Sequence, residues 1–134
     1  MPRLAKLYFQ TAIIFLIVGL GMGLKMAISG SHDVIGAHAH ANLLGWVTMA
    51  IFGAYYALAP GKAEGMMARV QYAIYTFGVV VMTISLYLLL SGNPSMEPVV
   101  AVSSIITFIG VFLFAFILFS ADRPVVRSDA VQDA

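Results

Sequence analysis

IGAHAHANLLGWVTMAIFGAYYALAPGK, residues 35–62, carries no charge from Ile35 to Leu58 and then stops at Pro60, Gly61 and Lys62. That apolar run matches the ~20 residues a helix needs to cross a bilayer. Three similar runs flank it: Leu7 to Ile28, Val70 to Ser91, and Pro98 to Ser120. The chain of 134 residues is 61% hydrophobic and only 10% charged, more apolar than a water-soluble domain of this size requires. Open strands leave backbone groups unpaired in hydrocarbon, so each run is expected to be a helix. The sequence therefore predicts an all-α integral membrane four-helix bundle, a single domain over residues 1–134, with helices near 7–28, 35–58, 70–91 and 98–120.

Basic residues set the expected orientation. Arg3 and Lys6 precede helix 1, Lys62 and Arg69 separate helices 2 and 3, and Arg123 and Arg127 follow helix 4. Only Lys25 falls toward the opposite side. The positive-inside rule puts both termini and the 2–3 loop in the cytoplasm, and His32, His38 and His40 toward the outer face. This is the pattern of a multi-pass protein in the inner, cytoplasmic membrane of a bacterium. The first apolar run exceeds the ~7–15 residues of a signal-peptide core, and no clean small-x-small cleavage site follows, so it is read as a span. The chain has no cysteine. That excludes thiolate or iron–sulfur ligation, covalent c-type haem and disulfides. A net charge of +1 points to no nucleic-acid partner.

Gly19, Gly21 and Gly23 of helix 1 suit close helix packing. Tyr72, Tyr75 and Tyr87 of helix 3, and Tyr55 and Tyr56 of helix 2, read as interfacial belt residues. Helix 4 opens with Pro98 in its first turn and reads as lipid contact and packing. The polar tail from Asp122 to Ala134 reads as frayed.

The two histidines of the opening stretch carry the chemistry. Residues two apart in an α-helix lie roughly 200° apart around the axis, so His38 and His40 point to nearly opposite faces. A helical segment cannot let them share one ion; an extended one at residue 38 would. His38 shares its face with Asn42, Gly45, Met49 and Phe52. His40 shares its own with Leu43, Leu44, Val47 and Ile51, all apolar. An imidazole at the rim of an apolar face suits a haem, whose iron takes nitrogen and whose macrocycle takes hydrocarbon. The bland alternative is a pair of hydrogen-bonded structural histidines. His32, beside Asp33, reads as a solvated loop residue and only secondarily as a metal ligand. Asn42 fits either an imidazole-orienting or a helix-linking role. Trp46 fits core packing or stacking near a haem. Met22, Met49 and Met82 read as gap-filling side chains.

The run His40-Ala-Asn42-Leu43-Leu44-Gly-Trp46, followed by Gly53-Ala54-Tyr55-Tyr56 and Pro60, resembles helix II of subunit I in the haem–copper oxidase superfamily, in its nitric-oxide-reductase and cbb-type branches. The resemblance implies that His40 is an axial ligand of a low-spin haem. His38-Ala-His40 also resembles helix X of that subunit, where the paired histidines ligate two haems on opposite helix faces. Subunit I is pseudo-threefold, built of three four-helix arcs, so the resemblance implies that this chain equals one arc and that a homotrimer rebuilds the whole. No second helix carries histidines, so one chain has no complete binuclear centre; catalytic residues stay unknown, and oxidoreductase activity is expected only in an oligomer.

The reading that follows is a b-type haem protein resembling a reduced haem–copper oxidase subunit I. It would serve electron transfer with an unidentified redox partner, haem handling or gas binding. His40 and His38 would be its cofactor-binding residues, with Asn42 and Trp46 around them. One alternative is a non-haem zinc or copper protein, its site built from the histidines of several chains. Another is a small accessory or assembly subunit without a cofactor.

Overall fold

The computed structural model describes residues 1–121, and the chain over this range is helical, with no strand. The readings made for Arg123, Arg127 and the Asp122–Ala134 tail lie outside the described residues. Helix α1 spans Arg3–Ser29. The second span comprises α2 (Ile35–His40), a π-helical segment (Ala41–Thr48) and α3 (Met49–Leu58). A short α4 (Pro60–Ala63) leads into α5 (Met66–Leu90), and a 3₁₀ turn (Pro94–Met96) leads into α6 (Glu97–Phe119). Four helices are thus long and apolar enough to cross a membrane. The first and third begin before their apolar runs because charged residues such as Arg3, Lys6 and Arg69 continue the helix beyond the hydrocarbon-compatible stretch.

Local signals explain the breaks. Gly30 takes a left-handed φ of 71° that side-chain-bearing residues avoid, and its N–H closes α1 on the Met26 carbonyl at 2.9 Å. Ala59 leaves the helical region just before Pro60, as residues preceding proline do. Pro98 sits in the first turn of α6, where its missing N–H costs no helical bond.

The second span and α5 form the centre of the bundle: α1 packs against both, α6 packs on α5 and reaches the second span through Phe114, and α1 and α6 share no substantial contact. The α5–α6 interface is the tightest. A Cβ on Gly78 would lie 2.7 Å from the Thr107 backbone nitrogen, and one on Gly110 would lie 2.8 Å from the Tyr75 Cα. Those two glycines let the backbones approach as small residues do in membranes. Outer faces are apolar: Phe108, Phe112, Phe116 and Phe119 of α6 are all exposed. A surface of that kind is compatible with hydrocarbon and not with water.

The core departs from the sequence reading at the tyrosines. Tyr56 and Tyr75 are fully buried, not belt residues. The Tyr8 hydroxyl donates to Gln71 Oε1, and Tyr56 donates to the same oxygen at 3.2 Å. Gln71 Nε2 then donates to the Gly110 carbonyl at 3.2 Å, so one buried amide ties all four spans. Tyr75 donates to the Leu44 carbonyl at 3.1 Å. With each hydroxyl partnered, the rings bury without a polar penalty. Tyr72 is half-buried and bonded to Thr11 at 2.7 Å. Around them Tyr8 stacks on Tyr56 with centroids 5.7 Å apart, and Phe52 stacks on Phe114 at 3.9 Å.

At the same end, Lys62 Nζ donates to the carbonyls of Ile117, Leu118 and Ser120 at 3.0, 3.2 and 2.8 Å. A cation there completes the carbonyl-rich terminus of α6.

Candidate functional site

His38 and His40 both fall in α2, before the π segment begins. Their backbone is helical, and the rings diverge accordingly. His38 Nδ1 lies 2.7 Å from the Gly19 carbonyl of α1, whereas His40 Nδ1 lies 2.8 Å from the Gly36 carbonyl of its own helix. A carbonyl only accepts, so each ring carries its hydrogen on Nδ1. In a neutral ring bonded this way Nε2 is the lone-pair nitrogen, the atom an imidazole offers to a metal once its other nitrogen is anchored. Neither Nε2 has a hydrogen-bond partner among the described residues.

Glycines seat the first ring. A Cβ on Gly23 would lie 3.0 Å from His38 Cε1, and one on Gly19 would lie 2.5 Å from Asn42 Nδ2. Gly19 and Gly23 are four apart on α1, as His38 and Asn42 are on the second span, so the two pairs interlock. Gly21 takes no part; a Cβ there meets nothing within 4 Å. Asn42 Nδ2 donates to the His38 carbonyl at 2.9 Å and stands 3.3 Å from His38 Nδ1. Since that nitrogen already carries hydrogen, the carbonyl bond is the real one, and Asn42 packs on Gly19 beside His38.

The His40 side is different. Leu43, Val47 and Ile51 are exposed, and no helix among the described residues covers those three side chains, while His40 itself is half-buried. Leu44 and Trp46 turn partly toward the core instead. His32 stands exposed in the loop, beside Asp33, which accepts the Ser31 hydroxyl at 2.5 Å. Met22, Met49 and Met82 are buried.

The π segment immediately after His40 was not legible in the sequence. Through and around it the buried residues fall four apart, at Ala37, Ala41, Gly45 and Met49, before α3 continues with Phe52, Gly53 and Tyr56. Thr48 Oγ1 donates to the Leu43 carbonyl, five residues back, at 2.8 Å, and Tyr75 serves Leu44. Both bonds engage carbonyls within the irregular turns. Phe15 presses on the segment at Gly45, where a Cβ would lie only 2.3 Å from its ring. Such segments concentrate at functional sites.

Among the described residues no group of three or more His, Cys, Asp or Glu converges to hold a metal ion. A zinc or copper site takes three or four such ligands, while a haem takes only one or two axial imidazoles. No protein-family model, curated protein or solved structure matches the chain.

Proposed function

We propose that this protein is a b-type haem-binding, multi-pass protein of a bacterial inner membrane, with a haem held by His40 Nε2 on the uncovered face of the second span. The observation that carries the reading is the state of that imidazole. Its Nδ1–H is committed to Gly36, its Nε2 is unpartnered, and its neighbours Leu43, Val47 and Ile51 are exposed hydrocarbon. That combination suits an axial ligand beside a macrocycle. Asn42 and the Gly19–Gly23 seat hold His38 on the opposite face, as a ligand to the haem of a neighbouring copy or as a separate site.

The exposed apolar flank of α6, with Phe108, Phe112, Phe116 and Phe119, gives other copies a surface to pack on. The resemblance of the His38–Pro60 stretch to an oxidase subunit I arc favours three copies, with His38 or His40 of an adjacent copy completing the coordination. Arg3, Lys6, Lys62 and Arg69 gather at one end, which the positive-inside rule makes cytoplasmic and which leaves the histidines toward the outer face. A haem bound there supplies one-electron exchange when six-coordinate, or a gas-binding position when one axial site is open.

The visible spectrum of detergent-purified protein from haem-replete cells tests this. A Soret band with sharp reduced α and β bands is expected. Colourless protein overturns the haem reading, and stoichiometric zinc or copper in that protein would shift the site to a multi-chain metal centre. A monomeric or dimeric mass overturns the trimer.

A further inference from the structure

A groove of about 400 Å³ opens between α1 and α5, toward the end of the molecule where α1 finishes. Its volume falls within the ~300–1,000 Å³ range of small-molecule sites. Val18 and Gly21 form one wall, and Ile84 and Leu88 the other. Lys25 and Tyr87 close one end: the Lys25 ammonium donates to the Tyr87 hydroxyl and stands 5.0 Å from its ring centroid. Lys25 is four residues short of the α1 terminus, about 6 Å along the axis, the depth from which a lysine reaches the headgroup layer. Thr83 stands on the same wall, and its hydroxyl is buried without a hydrogen-bond partner among the described residues.

From this arrangement we infer that the groove is a selective site for an anionic phospholipid, with an acyl chain between α1 and α5 and its phosphate on Lys25. Charge complementarity identifies the occupant. The groove walls carry one cation and no carboxylate, because Asp33 and Glu97 at the same end lie off it. A choline headgroup brings its own cation next to Lys25, whereas a glycerol headgroup brings none. Tyr87 orients the ammonium. Gly21 keeps the wall flat: a Cβ there would touch nothing within 4 Å, so the space beside it is open to a chain. The site is independent of any haem.

Native mass spectrometry tests it on the purified full-length protein equilibrated with equimolar phosphatidylglycerol and phosphatidylcholine of matched chains. The wild type is expected to retain phosphatidylglycerol about fivefold over phosphatidylcholine, the ratio one lysine near a membrane surface confers. Lys25→Gln should level the two lipids, and Gly21→Phe should expel both by filling the groove. Equal retention by the wild type overturns the proposal, and so does an undiminished preference in Lys25→Gln. Should Gly21→Phe fail to fold, the exposed Lys25 substitution decides alone.

Discussion

Two polar clusters hold the second span, and they are built differently. Near the basic end, Gln71 engages both ends of its amide: its oxygen accepts from Tyr8 and Tyr56, and its nitrogen donates to Gly110. Near the other end, His38 and His40 each spend Nδ1 on a backbone carbonyl and keep Nε2 unspent. A satisfied buried network locks a structure. A half-used imidazole whose orientation is already fixed is prepared for a ligand. The contrast separates residues whose bonds hold the spans together from residues that the proposed haem reading assigns to a ligand.

Substitutions divide along the same line. His40→Ala should have the largest effect, abolishing the haem spectrum while leaving the helical circular dichroism intact. If His38→Ala leaves that spectrum unchanged, His38 serves a separate task. If it halves or shifts the spectrum, His38 shares the coordination. Gly19→Leu should destabilise the fold by about 3 kcal/mol, because its side chain must displace Asn42 from α1; steric-trapping unfolding measures this. Haem retention should fall with it if the His38 seat matters to ligation. Gln71→Leu should lower stability by about 2 kcal/mol, from three interhelical bonds at about 0.6 kcal/mol each, and leave the spectrum where it was. A spectral shift in Gln71→Leu would blur the division between the two clusters. Tyr75→Phe should be mildest, about 0.6 kcal/mol for the single bond to Leu44. A larger loss would mean that Tyr75 maintains the π segment itself.

Some of this was legible in the sequence, and the physical reason is range. The apolar run from Ile35 to Leu58 depends only on its own composition, and its bounds coincide with those of the second span. The divergence of His38 from His40 needs only the α-helical turn, which holds through residue 40. The wide turns from Ala41 to Thr48 are contacted by Phe15 at Gly45 and by Tyr75 at Leu44, partners roughly thirty residues away in either direction that a local pattern does not contain. Tyr56 and Tyr75 looked like belt residues for the same reason: Gln71 and the Leu44 carbonyl, which allow their burial, cannot be assigned to them from local pattern. Gly19 and Gly23 announced close packing, but not that an imidazole and an amide would be the groups packed. A residue spacing of four on both helices was the available signal.

The claim that His40 Nε2 is an iron ligand has a direct test in chemical rescue. His40→Gly, purified from haem-replete cells with and without free imidazole, isolates that one nitrogen from the rest of the fold. The prediction is a reduced α band that is absent without imidazole and restored when imidazole occupies the space. A full α band in His40→Gly without imidazole would contradict it.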